Sequence, residues 1–494
     1  MNASSIQAII LAAGKSTRFN TGRSKLLERL CGQEMILYTT KLFESLSLPT
    51  TVVLGYEAEN IKKVITNHHT QIMFAEQPEQ KGTGHALACS QHTWMSDHIL
   101  VINADMPLIT KKIINELIEK HLTKNADVSF VTSHTENPSQ FGYGRVIQQN
   151  GTLKIVETRN YQGTEIDDCC INAGIYMFKK TFLNNYLPQL GSQNAQNEFY
   201  LTDLIEKASA HQLTIETVAA SFDHIRGVNT LKELWSAEQI KRAELISHWM
   251  DNGVRFFAAQ AVHVDENVTI GQGSTISYGT HVINGTKIGI NCHIEPFSII
   301  SNSTIGNNVT IYSHSVITDS TIEAHTKIGP FAHIRTHSTI KQSATVGNFV
   351  ELKATTLGAN SKAKHLAYLG DTTAGERVNI GAGTITSNHN GFSKQPTTIE
   401  DNAYIGSNNT LVAPLTIGKN SYTAAGSVIT KQVPPEALAI ARAYQVNKEG
   451  YARKLREKFA KEQQTKTNEL KESEAVSFVA ALKTHNDSTL SGNT

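Results

Sequence analysis

Between Thr269 and Thr430 aliphatic residues recur every six positions: Ile270, Ile276, Val282, Ile288, Ile294 and Ile300, then, after a five-residue step, Ile305, Ile311 and Ile317. A second such step leads to Ile322, Ile328, Ile334, Ile340, Val346 and Leu352. After a break the series returns at Ile399, Ile405, Leu411, Ile417, Thr423 and Ile429. Neither a helical period nor strand alternation yields a six-residue period over this length, so the pattern is a repeat architecture. One hexad is too short to bury its own apolar side chain, whereas stacked coils line these side chains into one core. The form this predicts is a parallel β-helix with three hexads to a coil. Glycine often follows the aliphatic residue (Gly271, Gly289, Gly306, Gly329, Gly347, Gly358, Gly406, Gly418), where a sharp corner at positive φ would call for it.

Upstream the pattern changes. Residues 1–229 alternate strand-like and helix-like segments, as in a doubly wound α/β domain. Ile6 to Leu11 predicts a strand, followed by Ala12-Ala13-Gly14-Lys15-Ser16-Thr17-Arg18 at its C-terminal end, where open α/β sheets bind ligands. Such a small-residue loop lets backbone N–H groups approach a phosphate or base edge, with Arg18 and Lys25 supplying positive charge. A structural turn with exposed cations accounts for the loop about as well. His98 to Ile102 predicts a second strand, delivering Asn103-Ala104-Asp105-Met106-Pro107. Asp105 is placed to hold a Mg²⁺ by one carboxylate. It is also placed to cap a helix starting near Thr110, and on the residues alone the cap is favoured.

Leu231, Leu234, Trp235, Ile240, Leu245, Ile246, Trp249 and Met250 roughly follow helical spacing and predict a connecting helix over 230–254, with Trp and Met as packing groups. The β-helix then occupies 255–450. Beyond Arg442 the chain is Lys/Glu/Gln-rich through Glu474, compatible with a solvated helix; a short apolar patch follows from Ala475 to Leu482. From His485 on it lacks the apolar content to pack and reads as disordered; 451–494 as a whole reads as a charged, flexible tail, with a partner-binding helix as the lesser reading.

Composition trims the function classes. At 494 residues there is room for two or three domains, and a formal net charge of +1 with interspersed signs gives no basic face for nucleic acid. No apolar run approaches the roughly 20 residues of a membrane helix. The run Ala8 to Ala13 is short and leads into a glycine loop, so it reads as a strand rather than a signal peptide. The five cysteines are odd in number and share no metal or disulfide spacing; Cys169-Cys170 reads as strand filler. A reducing cytoplasm is the compartment this implies.

The hexads resemble those of the hexapeptide-repeat acyltransferases, whose β-helix is left-handed. That hand comes from the resemblance; general crossover chirality would favour the other. Leu11-Ala-Ala-Gly14, Arg18 and Lys25 resemble the signature of the sugar-1-phosphate nucleotidyltransferases, a Rossmann-like α/β fold. Gln77, Gln80-Lys-Gly-Thr-Gly-His85, Gly142-Tyr-Gly-Arg145, Ile171-Asn-Ala-Gly174 and Gly227-Val-Asn229 fall in that family's order. Together the two halves resemble, from residue 5 to about 455, the bacterial bifunctional uridyltransferase/acetyltransferase family that makes UDP-N-acetylglucosamine from glucosamine-1-phosphate, acetyl-CoA and UTP.

The resemblance implies a set of roles. Leu11, Ala12, Ala13 and Gly14, with Gln77, Gly82 and Thr83, would hold the uridine, and Arg18 and Lys25 the triphosphate. Gly142, Glu157, Asn172 and Asn229 would line the sugar, with Asp105 and Asn229 binding Mg²⁺. Four departures stand out: Ser16 for the family's Gly, Ser24 for Pro, Asn103-Ala104 for Tyr-Gly, and Asn388-His389-Asn390-Gly391 for Asn-Tyr-Asp-Gly.

In the β-helix the interval Lys353 to Thr398 breaks the rhythm, and loops interrupting a rigid repeat concentrate function. A lone His in such a fold is most often a surface or turn residue, and this chain has 20. By resemblance His365 is the general base, a task that suits imidazole near neutral pH. Arg335 and Lys353 would bind the sugar phosphate, and Glu351, Tyr368, Asn379 and Lys394 would orient the sugar. Ala382, Asn388, His389, Ser407, Ala425 and Arg442 would meet acetyl-CoA. The family is homotrimeric, with neighbouring subunits completing each acetyl site. Two other readings compete: a nucleotidyltransferase whose β-helix only assembles or regulates, and a non-catalytic scaffold. The His365 set argues against the first, and Asp105, Asn229, Arg18 and Lys25 against the second.

Overall fold

The computed structural model describes residues 5–19, 22–135, 142–149, 151–158, 161, 169–193 and 196–489. Contacts divide the chain into two units, residues 1–440 and residues 441–494.

The first unit begins with a sheet whose main path runs Ile215–Ala219, Val128–His134, Cys170–Lys179, His98–Asn103, Ile6–Ala12, Thr50–Leu54 and Met73–Glu76. Ile6–Ala12 is buried along its whole length because it is a central parallel strand covered on both faces. It pairs in parallel with Thr50–Leu54 on one side and His98–Asn103 on the other. The chain thus leaves this strand in one direction and later returns to its other side. The crevice outside its C-terminal end is the topological switch point of the sheet. Both loops singled out from the sequence open there, with the Ala104 N–H donating to the Leu11 carbonyl at 3.0 Å. Asp105 caps no helix: the helix Lys111–Thr123 is capped by Thr110, whose hydroxyl accepts from the Ile113 N–H.

The connecting helix runs Leu231–Asp251. Ala237 packs in the α/β core with Leu234, Ile240 and Leu245 beside it, while Ile246 and Trp249 pack against the core of the following repeats. Trp235 and Met250 are not packing groups: they are 62% and 44% exposed, on the face of the helix that neither core covers.

The repeats form a parallel β-helix. Each core residue stacks on the one a coil later, as Ile270 on Ile288, Ile276 on Ile294 and Val282 on Ile300. The one long coil is where Ala374 pairs with Ile399, and the interval contains the loop 388–395. The expected role of the glycines needs correction. Of the eight that follow an aliphatic residue, Gly329 alone has a positive φ; the corners belong instead to residues such as Asn291, Phe297, His314, Phe331 and Phe349. The other glycines answer to close approach: a Cβ on Gly271 would lie 2.5 Å from the Gly289 carbonyl carbon of the next coil. The last coil strand is Leu438–Ala439, so the coil ends before residue 450.

In the second unit, Tyr451–Thr489 is a single helix, the solvated helix that the Lys/Glu/Gln-rich stretch allowed, and it runs on past His485. Its side chains from Tyr451 to Leu482 are all exposed. Strong helix formers and spaced pairs such as Arg453–Glu457 at 4.0 Å and Lys458–Glu462 at 3.8 Å favour the helix without a core. Of the stretch expected to be disordered, residues 490–494 lie outside the described residues.

Candidate active sites

At the switch point of the α/β sheet two cavities adjoin. One, of about 860 Å³, is lined by Leu11 to Lys15, Gln77, Gly82, Thr83 and Lys25 among others. The other, of about 300 Å³, is lined by Gly142, Tyr143, Glu157, Asn172, Tyr176 and Thr202 among others. Arg18, Thr83, Asn103, Asp105, Glu198 and Asn229 belong to both walls. Three of them and their neighbour Lys25 make the charged centre. Lys25 Nζ donates to Asp105 Oδ2 at 2.6 Å and to Asn229 Oδ1 at 2.7 Å, and Arg18 Nη2 donates to Asn229 Oδ1 at 2.8 Å.

The loop that carries these cations is stitched by two of the departures. Ser16 Oγ accepts from the Lys25 N–H at 2.9 Å, and the Ser24 N–H donates to Glu57 Oε2 at 2.7 Å, a bond that proline could not make. Gln77 is held by a bond from its Nε2 to the Gly82 carbonyl at 3.1 Å. In the smaller cavity Asn172 Nδ2 donates to Tyr176 Oη at 2.6 Å, and Thr202 Oγ1 donates to Glu157 Oε1 at 3.3 Å. Burial pushes the Glu157 carboxyl above its ordinary range. Arg145 is buried beneath the Tyr161 ring, 3.8 Å from its centroid, and does not line either cavity. Among the described residues no group of three or more His, Cys, Asp or Glu could hold a metal ion.

The β-helix carries a second constellation, built as columns of residues at coil spacing. Arg335, Lys353 and Gly370 stack in one column, with Glu351 and Tyr368 in the neighbouring one. Arg335 binds Glu351 Oε1 through Nη2 at 2.7 Å and Nε at 2.9 Å. Lys353 Nζ lies 3.3 Å from Asp371 Oδ2, which also accepts from Asn388 Nδ2 at 2.5 Å. A hydrogen bond to Lys353, and after it the charge of that lysine, lowers Lys394; the same bond raises Lys353. Gly370 is needed here, because a Cβ would lie 2.5 Å from both Tyr368 Oη and Asn388 Nδ2.

His365 stands in a different column. Asn348 pairs with it in the coil before, and Ala382, Ser407 and Ala425 follow in the coils after. Its Nδ1 is 3.0 Å from Asn348 Oδ1. A carbonyl oxygen only accepts, so Nδ1 is the donor in this contact, which in the neutral ring leaves Nε2 as the acceptor. The residues that follow His365 in its column, Ala382, Ser407 and Ala425, are small and at least partly exposed. Asn379 belongs to another column, between Lys362 and Tyr404, and Arg442 belongs to the second unit. His389 bridges Lys394 across the base of the 388–395 loop.

The sequence reading missed Asn348, Tyr143 and Thr202. A coil offset of 17 residues from His365 would have found Asn348; nothing comparable marks the others.

Residues 8–159 match the MobA-like NTP transferase domain, and residues 285–319 and 396–431 match the bacterial transferase hexapeptide (six repeats). The chain is 40% identical to "Bifunctional protein GlmU" of Thermotoga petrophila over 91% of its own length and 99% of the relative's. It is 38% identical to the protein of that name from Geotalea uraniireducens over 92% and 99%. The chain belongs to the GlmU family. It is a bifunctional enzyme, a uridyltransferase and an acetyltransferase: an α/β nucleotidyltransferase (Rossmann-like) domain followed by a left-handed parallel β-helix of hexapeptide repeats. Among solved structures, a CMP:2-keto-3-deoxy-manno-octonic acid synthetase complexed with CTP covers 49% of the chain at a TM-score of 0.39 and 16% identity, too distant to carry any argument.

Proposed function

We propose that the chain acetylates glucosamine-1-phosphate with acetyl-CoA on its β-helix, then transfers UMP from UTP to the product in its α/β domain, releasing pyrophosphate. The observation that carries the second step is the convergence of Arg18, Lys25, Asp105 and Asn229 where two cavities meet. In this reading the larger cavity takes the nucleotide: Leu11 to Gly14, Gln77, Gly82 and Thr83 hold the uridine. The smaller takes the sugar through Gly142, Glu157, Asn172 and Asn229. A phosphate oxygen of the sugar attacks the α-phosphorus of UTP, a new P–O bond forms and the bond to pyrophosphate breaks. No covalent enzyme intermediate is required, so alignment and charge neutralisation by Arg18 and Lys25 do the catalysis.

Asp105 and Asn229 fit a Mg²⁺. Their oxygens already share one cation, the Lys25 ammonium, and one carboxylate with an amide oxygen suits a hard ion that takes its remaining ligands from phosphate and water. Bound there, Mg²⁺ would supply neutralisation of the triphosphate charge.

On the β-helix, His365 Nε2 takes a proton from the sugar amine as nitrogen attacks the thioester carbonyl. The N–C bond forms, the C–S bond breaks and the CoA thiolate leaves, taking back the proton from His365. Arg335 and Lys353 hold the sugar phosphate, with Glu351, Tyr368, Asn379 and Lys394 around the sugar; Ala382, Ser407 and Ala425 border the acyl carrier, with Asn388 and His389 at its margins, and Arg442 is assigned to acetyl-CoA by resemblance alone.

A homotrimer completes this site. Supporting it is a ridge of stacked side chains along one corner, Phe297, His314, Phe331 and Phe349, with ring centroids 4.9–5.3 Å apart. Phe331 and Phe349 are 47% and 57% exposed, and Leu366 continues the ridge beside His365 at 65%. Left-handed φ is costly for such bulky residues. A threefold axis along the coil brings equal heights together, so each copy meets the same ridge. The cytoplasm suits five free cysteines, and among the described residues no helix is long and apolar enough to cross a membrane. Supplying the purified chain with each substrate set separately tests the proposal: product from only one set overturns the two-step reading.

A further inference from the structure

The segment Gly227-Val228-Asn229 brings a side-chain oxygen to the charged centre from the far end of the α/β domain, immediately before the connecting helix. Its backbone has no slack. The Gly227 N–H donates to Tyr143 Oη at 2.6 Å, the Val228 N–H to the Asp105 carbonyl at 2.9 Å, and the Asn229 N–H to Glu233 Oε2 at 2.7 Å. Glu233 also closes a reciprocal cap with the helix. The Thr230 hydroxyl donates to the same Oε2 at 3.1 Å and accepts from the Glu233 N–H at 3.2 Å. The sequence Thr230-Leu-Lys-Glu233 has the spacing of such a capping box, though here the carboxylate reaches one residue further back, to the residue that faces Lys25 and Arg18.

The anchor of that carboxylate is firm. The same helix is pinned to both domains: Ala237 is buried in the α/β core, Lys241 Nζ meets Glu266 Oε2 at 2.9 Å, and Ile246 is buried in the core of the coil. We propose that Glu233 is a positioning residue for uridyltransfer, holding the Asn229 backbone so that its Oδ1 stays beside Asp105 for the metal-bound triphosphate. This rests on the reading of Asn229 as a metal ligand. Without the Glu233 acceptor, the Asn229 N–H turns to water and the peptide before the helix regains rotation. The side-chain oxygen then no longer has one position, and groups that orient a metal ligand typically matter 10–100-fold.

The experiment uses the full chain with a non-hydrolysable UTP analogue and Mn²⁺ as probe, read by electron paramagnetic resonance, alongside the Mg²⁺ dependence of uridyltransfer. Glu233→Ala is expected to weaken Mn²⁺ binding about 10–100-fold, with acetyl transfer unchanged. Glu233→Gln, which keeps the acceptor, is expected to stay near the parent chain. Thr230→Val, which removes the cap hydroxyl but leaves the bond to Asn229, is expected to lower Tm while Mn²⁺ binding holds. Unaltered Mn²⁺ binding in Glu233→Ala overturns the proposal. So does equal weakening by Thr230→Val, which would trace the effect to helix capping alone, or by Glu233→Gln. Should Glu233→Ala lose acetyl transfer too and so fail to fold, Glu233→Met, which keeps the length of the side chain but offers Asn229 no oxygen, is read in its place, and unaltered Mn²⁺ binding there overturns the proposal. Unaltered binding in Asn229→Ala overturns the metal-site reading itself.

Discussion

The two candidate sites are assembled in opposite ways. In the α/β domain, residues as distant as Arg18, Asp105, Glu157 and Asn229 are brought by separate loops to one crevice, where Lys25 and Asp105 keep only 16% and 18% of their side-chain surface. On the β-helix the residues come from adjacent coils at fixed offsets, and the central His365 lies exposed. A crevice formed by convergence has walls on every side. A column on a flat prism has walls only where another surface is laid against it. On the proposed reading, one chain builds the first site whole and leaves the second to be walled by its neighbours.

The largest expected effect is that of Asp105→Ala. It should lower uridyltransfer by roughly 10³-fold or more, the weight of a metal's charge stabilisation, with acetyl transfer retained. Assays with each substrate set check this, and equal loss of both in a folded variant would break the comparison. His365→Ala comes next, with acetyl transfer down roughly 10²–10⁴-fold and uridyltransfer intact. Asn348→Ala should cost acetyl transfer less than His365→Ala, because it frees the ring without removing the base. Lys353→Ala should raise KM for the sugar phosphate more than it lowers kcat, which steady-state kinetics would separate.

Phe349→Asp sharpens the contrast further. A carboxylate in the ridge should reduce the mass by light scattering to that of one chain and remove acetyl transfer, while uridyltransfer per chain holds. A monomeric variant with full acetyl activity would remove the need for neighbours.

The smallest effect concerns acid. Burial, then His98, pushes His121 down to about 3 from the ordinary 6.5, within a chain of bonds from His98 Nδ1 at 3.1 Å to Ser129 Oγ at 2.8 Å. Between those values the unfolded chain binds the proton and the folded chain does not. The resulting stability is full above pH 6.5 and is lost as pH falls towards 3. His121→Gln should thus cut proton uptake on unfolding of the α/β domain by about one in that window, measured from the pH dependence of denaturant midpoints, and leave the coil's acid response alone.

The same contrast decides what could be read in advance. The hexads announced the coil because one residue type repeats where the geometry repeats, and Arg335 over Lys353 follows from coil arithmetic. The glycines misled, since Gly271 and Gly289 answer to close approach, while the left-handed corners go to Asn291 or Phe331. In the α/β domain the loop of Arg18 and the strand-end Asp105 could be placed at the ligand-binding end of the sheet from the residues, but only the resemblance favoured a ligand over a turn or a cap. Tyr143 and Glu233 act through a phenol and a carboxylate on backbone N–H groups, which leave no periodic trace. In the tail the solvated helix was legible through Glu474, whereas its continuation past His485, where a core is wanting, rests on local propensity.

The central claim, one site complete in a single chain and the other not, is tested most directly by a dilution series that follows mass and both activities together. The account predicts that acetyl transfer per chain falls in step with dissociation of the trimer, while uridyltransfer per chain stays constant. Both activities falling together, or acetyl transfer persisting in the monomer, would contradict it.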